Sequence, residues 1–223
     1  MDNPNISRQT RADSRRNRQE LLRVGAQTLA ELGVYAPTRE IARRAGVSVG
    51  TFFRHFPSKD DLISEIIVDH FTRLRAIAEE IEATDGLAPR EAFEAYMERA
   101  GAQIAPDRSF FQAMHIAGTH SDAIRSAAFD LDNAVGRLLA RAQADGSIRS
   151  DLVANDIHTI ISIVTATTSP DVEFFPDRWR RYLTLTLDGM GGTPPRELPV
   201  PPMTFEDYPA MNEERQRRRE ESA

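Results

Sequence analysis

The stretch Thr38 to Phe56 reads T-R-E-I-A-R-R-A-G-V-S-V-G-T-F-F-R-H-F, and its residue types suit contact with a polyanion. Two short helices that cross steeply need a small residue where they approach and a residue tolerant of positive φ in the turn. Ala42 supplies the first and Gly46, four residues on, the second, while Ile41, Ala45, Val47 and Phe52 can fill the space between the helices. The second helix then offers Ser48, Val49, Thr51, Arg54 and His55, small or polar groups that fit a major groove. Gly50 has no side chain to hold its backbone away from a duplex. The pattern predicts a helix-turn-helix directed at double-stranded DNA. Packing alone also produces short helix pairs with alanine and glycine, so the neighbourhood has to be weighed with it.

Other chemistries find little support. The chain has no cysteine, which excludes disulfides, thiolate metal sites and a cysteine nucleophile. His115 and His120 are five apart, not the i, i+4 spacing of a helical zinc motif. Asp130 and Asp132 are two apart and diverge on a helix, so they make poor acid and base partners. There is no P-loop and no dinucleotide fingerprint. Glu79, Glu80 and Glu82 read as a solvated face. The expectation is a non-enzyme without metal or cofactor.

Positioning the motif requires helices, and the apolar spacing supplies them. A first helix from Ser14 to Gly33 carries Leu21, Leu22, Val24, Leu29 and Leu32. Pro37 precedes a very short second helix, for which Thr38 is the expected cap. A third helix starts at Ser48 and ends before Pro57. A fourth, from Lys59 to about Thr84, has an unbroken stripe through Leu62, Ile63, Ile66, Ile67, Leu74 and Ile81. Further helices are expected at 89–105, 107–117, 121–144, 154–168 and 176–190, nine in all, with essentially no sheet. The fold class is therefore all-α. The domain plan is a disordered basic arm at 1–13, a helix-turn-helix domain at 14–58 and a helical body at 59–192. A tail at 193–223, proline-rich and then charged, is expected to be disordered.

Charge distribution supports the plan. The chain carries −6 overall, yet residues 1–60 hold eleven Lys and Arg against six Asp and Glu, leaving +5 there and −11 beyond. Only the N-terminal part has the sign that phosphate demands. Arg8, Arg11, Arg15, Arg16 and Arg18 supply much of that excess from the arm and the start of the first helix. No apolar run approaches the roughly 18 residues of a bilayer span, and Met1 to Arg23 lacks the apolar stretch of a secretory signal, so a cytoplasmic, membrane-free protein is expected.

The block T-R-E-I-A-R-R-A-G-V-S-V-G-T-F-F-R-H-F-P-S-K-D-D-L, Thr38 through Leu62, resembles the DNA-binding head of the tetracycline-repressor (TetR) family, and the likeness extends back to about Arg15. The resemblance implies a subunit of nine or ten helices, three of them in the head, and a body that dimerises through its last two long helices. It also implies that Thr38 and Lys59 contact phosphates, and that Arg54 and His55 contact backbone or base edges. Ser48, Val49, Gly50 and Thr51 would face the groove, with Arg39 and Arg43 as further candidates. Lys59 is the chain's single lysine among 28 basic residues. Phe53 departs from the tyrosine that many family members carry, and it can pack against sugar but cannot donate a hydroxyl to phosphate.

In the body the resemblance is one of architecture, with a local echo at A-D-G-S-I-R-S-D-L, Ala144 to Leu152. Ile157, Ile161, Val164, Trp179, Tyr182, Leu183, Thr186 and Leu187 are the candidate homodimer contacts, on the argument that one head reads only a half-site of a palindromic operator. Phe71, Phe110, Phe111, Met114, His115 and Phe129 are the candidate lining for a small-molecule inducer, although such residues at helical spacing also serve as plain core. The function implied is a repressor released from operator DNA by an inducer. The rival is a helical oligomeric module that binds a small molecule or protein and has no DNA function.

Overall fold

A computed structural model describes residues 4–33, 35–106, 121–166, 175–192, 198–203 and 217, with only the backbone for 4–15. Eight helices occur among the described residues: α1 (Pro4–Leu32), α2 (Thr38–Arg44), α3 (Val49–His55), α4 (Lys59–Glu82), α5 (Pro89–Ile104), α6 (Asp122–Ala144), α7 (Ala154–Ala166) and α8 (Arg178–Gly189). No strand is present among them, and an isolated bridge pairs Ile148 with Gly191. The helix expected at 107–117 lies outside the described residues, as does most of the tail. Leu198, Val200 and Met203 in the described part of that tail are exposed.

The chain divides into two units, and the break falls inside α4: Met1–Asp69 belong to the first, and His70–Arg108 with Asp122–Ala223 to the second. The expected boundary at Lys59 is therefore too early. The first turns of α4 contribute Leu62, Ile63, Ile66 and Ile67 to the head's core, and Leu62 sits directly against Gly25 of α1. The helix start also differs from expectation, since α1 begins at Pro4 rather than near Ser14. Proline suits a first helical turn, and the arginines and glutamines that follow are good helix formers.

In the head, Leu21, Val24 and Leu29 of α1 are buried with Ile41 and Ala42 of α2, Phe52 of α3 and Phe56. Thr28 is equally buried and satisfies its hydroxyl by donating 2.7 Å to the Val24 carbonyl. Gly33 ends α1 at φ 76°.

In the body, α5 packs against α6, α7 and α8, α6 against α7, and α7 against α8. Pro89 opens α5, and the backbone N–H of Ala88 donates 3.1 Å to Glu91. The core joins Phe93, Tyr96, Met97 and Ile104 of α5 to Ile124, Leu131, Val135, Leu138 and Leu139 of α6. Gly101 is required for space: a Cβ there would overlap the indole of Trp179. The α6–α7 turn is tied to the end of α8, where Arg90 donates to the Ser147 carbonyl at 2.8 Å and to the Leu187 carbonyl at 2.9 Å. Arg149 N donates 3.1 Å to the Met190 carbonyl at the same place.

Two groups of expected contacts need correction. Ile157, Ile161, Val164, Trp179 and Leu183 are buried within the body itself, because the apolar stripes of α7 and α8 first cover α5 and α6. They are core residues of the subunit rather than a pairing surface, whereas Tyr182, Thr186 and Leu187 are half-buried. The exposed large apolar residues on the same two helices are Ile163 and Leu185. Of the expected pocket residues, Phe129 is 49% exposed on α6 rather than enclosed within the body. Phe71 is half-buried on α4, and Phe110, Phe111, Met114 and His115 lie outside the described residues.

Candidate nucleic-acid interface

Local backbone chemistry fixes the α2–α3 pair. Gly46 has φ 68°, and a Cβ there would meet nothing within 4 Å, so it is conformation and not space that demands glycine. With that turn in place, Val47 N donates 3.0 Å to the Ala42 carbonyl and Gly46 N donates 3.2 Å to the Arg43 carbonyl. These two bonds are the pattern that closes a helix on a left-handed glycine and satisfies its last carbonyls. Two residues after Gly46, Ser48 caps α3, its Oγ accepting from Thr51 N at 3.0 Å and lying 2.9 Å from Thr51 Oγ1. The expected cap of α2 is different: Pro37 occupies that position, and Thr38 lies inside the first turn with no side-chain cap bond there.

Phe52 and Phe56 anchor α3 from beneath, with ring centroids 5.8 Å apart. Ile41, Ala42, Phe52 and Phe56 are all at most 1% exposed. The opposite face carries Val49 and Phe53, 42% and 47% exposed, together with Ser48, Gly50 and Arg54. Thr51 and His55 are half-buried beside them. Leaving two large apolar side chains in water on a seven-residue helix is costly for a free-standing domain, and it makes sense if the helix is later covered. Phe53 meets Phe52 edge-on at 5.3 Å, which holds its ring at the surface.

The basic candidates separate by how they are engaged. Arg39 and Arg54 are exposed and make no ion pair among the described residues. Arg43 is paired with Glu40 at 2.7 and 2.8 Å, and Arg44 shares Glu40 and also reaches Glu31. Hydrogen bonds from Arg43 and then Arg44 hold the Glu40 carboxyl down at about 2. Exposed pairs of this kind contribute little and exchange readily for a phosphate. Lys59 donates 3.3 Å to the Ala36 carbonyl, which places its ammonium beside the α1–α2 link and next to the turn that carries Thr38. His55 is shifted below its ordinary value, first by desolvation and then by the charges of Arg18 and Arg54.

Two residues of this surface have no counterpart in the sequence-based candidates. Tyr35, 89% exposed, immediately precedes the Ala36 that Lys59 binds. An aromatic in a five-residue link between Gly33 and Pro37–Thr38 belongs to no helical stripe, and that was the available signal. Arg18 of α1 bonds His55 and Glu65. As a charged residue on a helix rich in arginine it carried no periodic signal.

Among the described residues no group of His, Cys, Asp and Glu could hold a metal ion, and no helix is long and apolar enough to cross a membrane. Asp130 and Asp132 do diverge, the first pairing with Arg75 at 3.1 Å and the second with His158 at 3.1 Å.

Two short helices joined by a left-handed glycine, with α3 capped by serine and exposing one mixed apolar and basic face, define a helix-turn-helix protein. Residues 21–66 match the family model described as bacterial regulatory proteins, tetR family, and residues 88–191 match that of the transcriptional regulator SbtR-like C-terminal domain. The chain belongs to the TetR family. It is 31% identical to a TetR transcription regulatory protein of Mycobacterium vanbaalenii, covering 82% of this chain and 99% of that one with a TM-score of 0.56. A TetR transcriptional regulator of Streptomyces coelicolor is 27% identical over 79% of this chain and 99% of its own, with a TM-score of 0.57. The HTH-type transcriptional repressor KstR of Mycobacterium tuberculosis is 26% identical over 63% of this chain, and the match spans 64% of that repressor's length.

Proposed function

We propose that the chain is a homodimeric transcriptional repressor that inserts α3 into the major groove of each half of an inverted-repeat operator and leaves it when a small molecule binds the body. The observation that carries the DNA reading is the exposed face of α3, held rigid by the Ser48 cap above and the buried Phe52 and Phe56 below. Arg39, Arg54 and Lys59 supply phosphate contacts, Thr38 and Tyr35 flank them, and Ser48, Val49, Gly50, Thr51 and Phe53 meet bases and sugars. Ser48 Oγ is committed to its cap, so the Thr51 hydroxyl is the better base reader. Arg43 joins them after exchanging Glu40 for phosphate.

Pairing between copies uses the exposed Ile163 of α7 and Leu185 of α8, with Tyr182, Thr186 and Leu187 at the margin. The inducer reading rests on Tyr96, whose side chain is wholly buried while its hydroxyl has no hydrogen-bond partner among the described residues. Burial, and then the charge of Asp132, push that hydroxyl well above its ordinary value, so it remains a donor. An unpaired buried hydroxyl costs about 1 to 3 kcal/mol, which a ligand oxygen accepting its proton would return.

The test is selection of duplexes from a random-sequence pool by the whole chain. An enriched inverted repeat with half-sites roughly 34 to 36 Å apart is expected. Recovery of no common sequence would refute the assignment.

A further inference from the structure

Arg18 lies upstream of the 21–66 segment that matches the family model, and its guanidinium does three things at once. Nη1 donates 2.7 Å to the carbonyl of His55, the last residue of α3. Nε donates 3.2 Å to Glu65 Oε1 on α4, while Nη2 bonds the other oxygen of the same carboxylate. The guanidinium carbon, Cζ, lies over the Phe56 ring, 4.5 Å from its centroid. A single planar side chain on α1 therefore joins the end of α3, the residue after it and the start of α4.

This matters because α3 is only seven residues long, too short to hold its own shape or direction. Ser48 fixes its first turn, and the buried Phe52 fixes its middle. Its final carbonyls are the groups that a helix leaves without internal partners, and a cation there also opposes the negative end of the helix dipole. Removing the guanidinium would leave α3 pivoting about Phe52. A pivot of a few degrees is enough to misplace Val49 and Thr51 against base edges, while phosphate contacts through flexible side chains would survive it.

We propose that Arg18 is a positioning residue for operator recognition: anchored by Glu65, it sets the angle at which α3 is presented, without itself contacting DNA. The chemistry is specific to arginine, since an ammonium can pair with Glu65 but cannot fork onto the carboxylate, bond the carbonyl and stack on the ring together.

The experiment compares the whole wild-type chain with Arg18→Ala, Arg18→Lys, Glu65→Gln and the Arg18→Ala/Glu65→Gln double variant. Four quantities are read: affinity for the duplex that the wild type selects, affinity for poly(dI-dC), the slope of log affinity against log salt, and the thermal midpoint. Arg18→Ala should lose about tenfold in specific affinity, on the scale of one mismatched base pair, with poly(dI-dC) affinity and salt slope unchanged. Glu65→Gln should lose specific affinity in the same direction, and the double variant should be no worse than Arg18→Ala alone. Arg18→Lys should recover the thermal midpoint but not the specificity. A salt slope smaller by about one, with loss on both DNAs, would make Arg18 a phosphate contact and overturn the proposal. Unchanged specific affinity with only a lowered midpoint would overturn it as well, and so would wild-type specificity in Glu65→Gln. Should Arg18→Ala fail to fold, Arg18→Lys and Glu65→Gln carry the comparison. Failure of the wild type to select any sequence would instead refute the repressor assignment.

Discussion

Head and body are both helical, but Gly46 of the head and Gly101 of the body are required for opposite reasons. In the head Gly46 is needed for its φ of 68° and has open space where a Cβ would lie, whereas in the body Gly101 has ordinary helical backbone and no space, because Trp179 occupies it. The first kind of constraint is local and recurs wherever that turn is made. The second is long-range, and it depends on which helix happens to lie opposite. A turn such as that at Gly46, or at Gly146 in the body, is therefore recognisable in the sequence, whereas a packing contact such as that of Gly101 with Trp179 is not.

The largest expected effect is in the body. Trp179→Ala should cost about 3 to 5 kcal/mol in chemical denaturation, because the indole fills the space that Gly101 leaves against α5. A loss below about 1 kcal/mol would show that the contact is not tight, since only exposed sites are that tolerant. Next is the turn of the head: Gly46→Ala should cost about 1 to 2 kcal/mol through backbone strain alone. Gly46→Asn should cost clearly less, because asparagine tolerates the left-handed region. A larger cost for Gly46→Asn than for Gly46→Ala would mean that space, not conformation, is limiting there.

Smaller effects separate the roles within the head. Lys59→Ala should weaken binding on every DNA and lower the salt slope by about one, whereas Thr51→Val should change which base is preferred, by about 1 to 3 kcal/mol. Both variants behaving alike would erase the division between phosphate contact and base readout. The smallest effect concerns pH. In the free protein desolvation, and then the charges of Arg18 and Arg54, hold His55 below its ordinary value and favour the neutral imidazole. A phosphate placed beside it raises its proton affinity, so binding takes up a proton and operator affinity should rise as pH falls from 8 toward 6. Titration of operator affinity across that range, with His55→Gln flat, is the check, and an opposite slope would remove His55 from the phosphate contacts.

What was legible in the sequence follows from the same contrast. Helix positions and the α2–α3 turn were readable because apolar periodicity, Pro37, Gly46 and Ser48 act within a few residues of themselves. The cap of α2 was misplaced by one residue, since Pro37 and Thr38 both suit a helix start and only backbone angles separate them. The stripes of α7 and α8 showed that one face is apolar but not that α5 and α6 claim it, so Ile157, Ile161 and Trp179 were expected at a partner's surface instead of in the core. Arg18 was invisible because its partners are 37 and 47 residues away. Tyr96 is hidden for the converse reason: on an apolar stripe it reads as packing, and nothing in the sequence reports that its hydroxyl lacks a partner among the described residues.

The central claim is that the exposed face of α3 enters the major groove, and the absence of cysteine from the chain makes it directly testable. Val49→Cys carrying an iron chelate that cleaves nearby DNA should cut the selected duplex in two clusters roughly 10 base pairs apart, each centred on a half-site. Asp85→Cys, in the exposed turn between α4 and α5 and labelled in the same way, should be silent. Cleavage from position 85 but not 49, or a pattern from position 49 unrelated to the inverted repeat, would contradict the account.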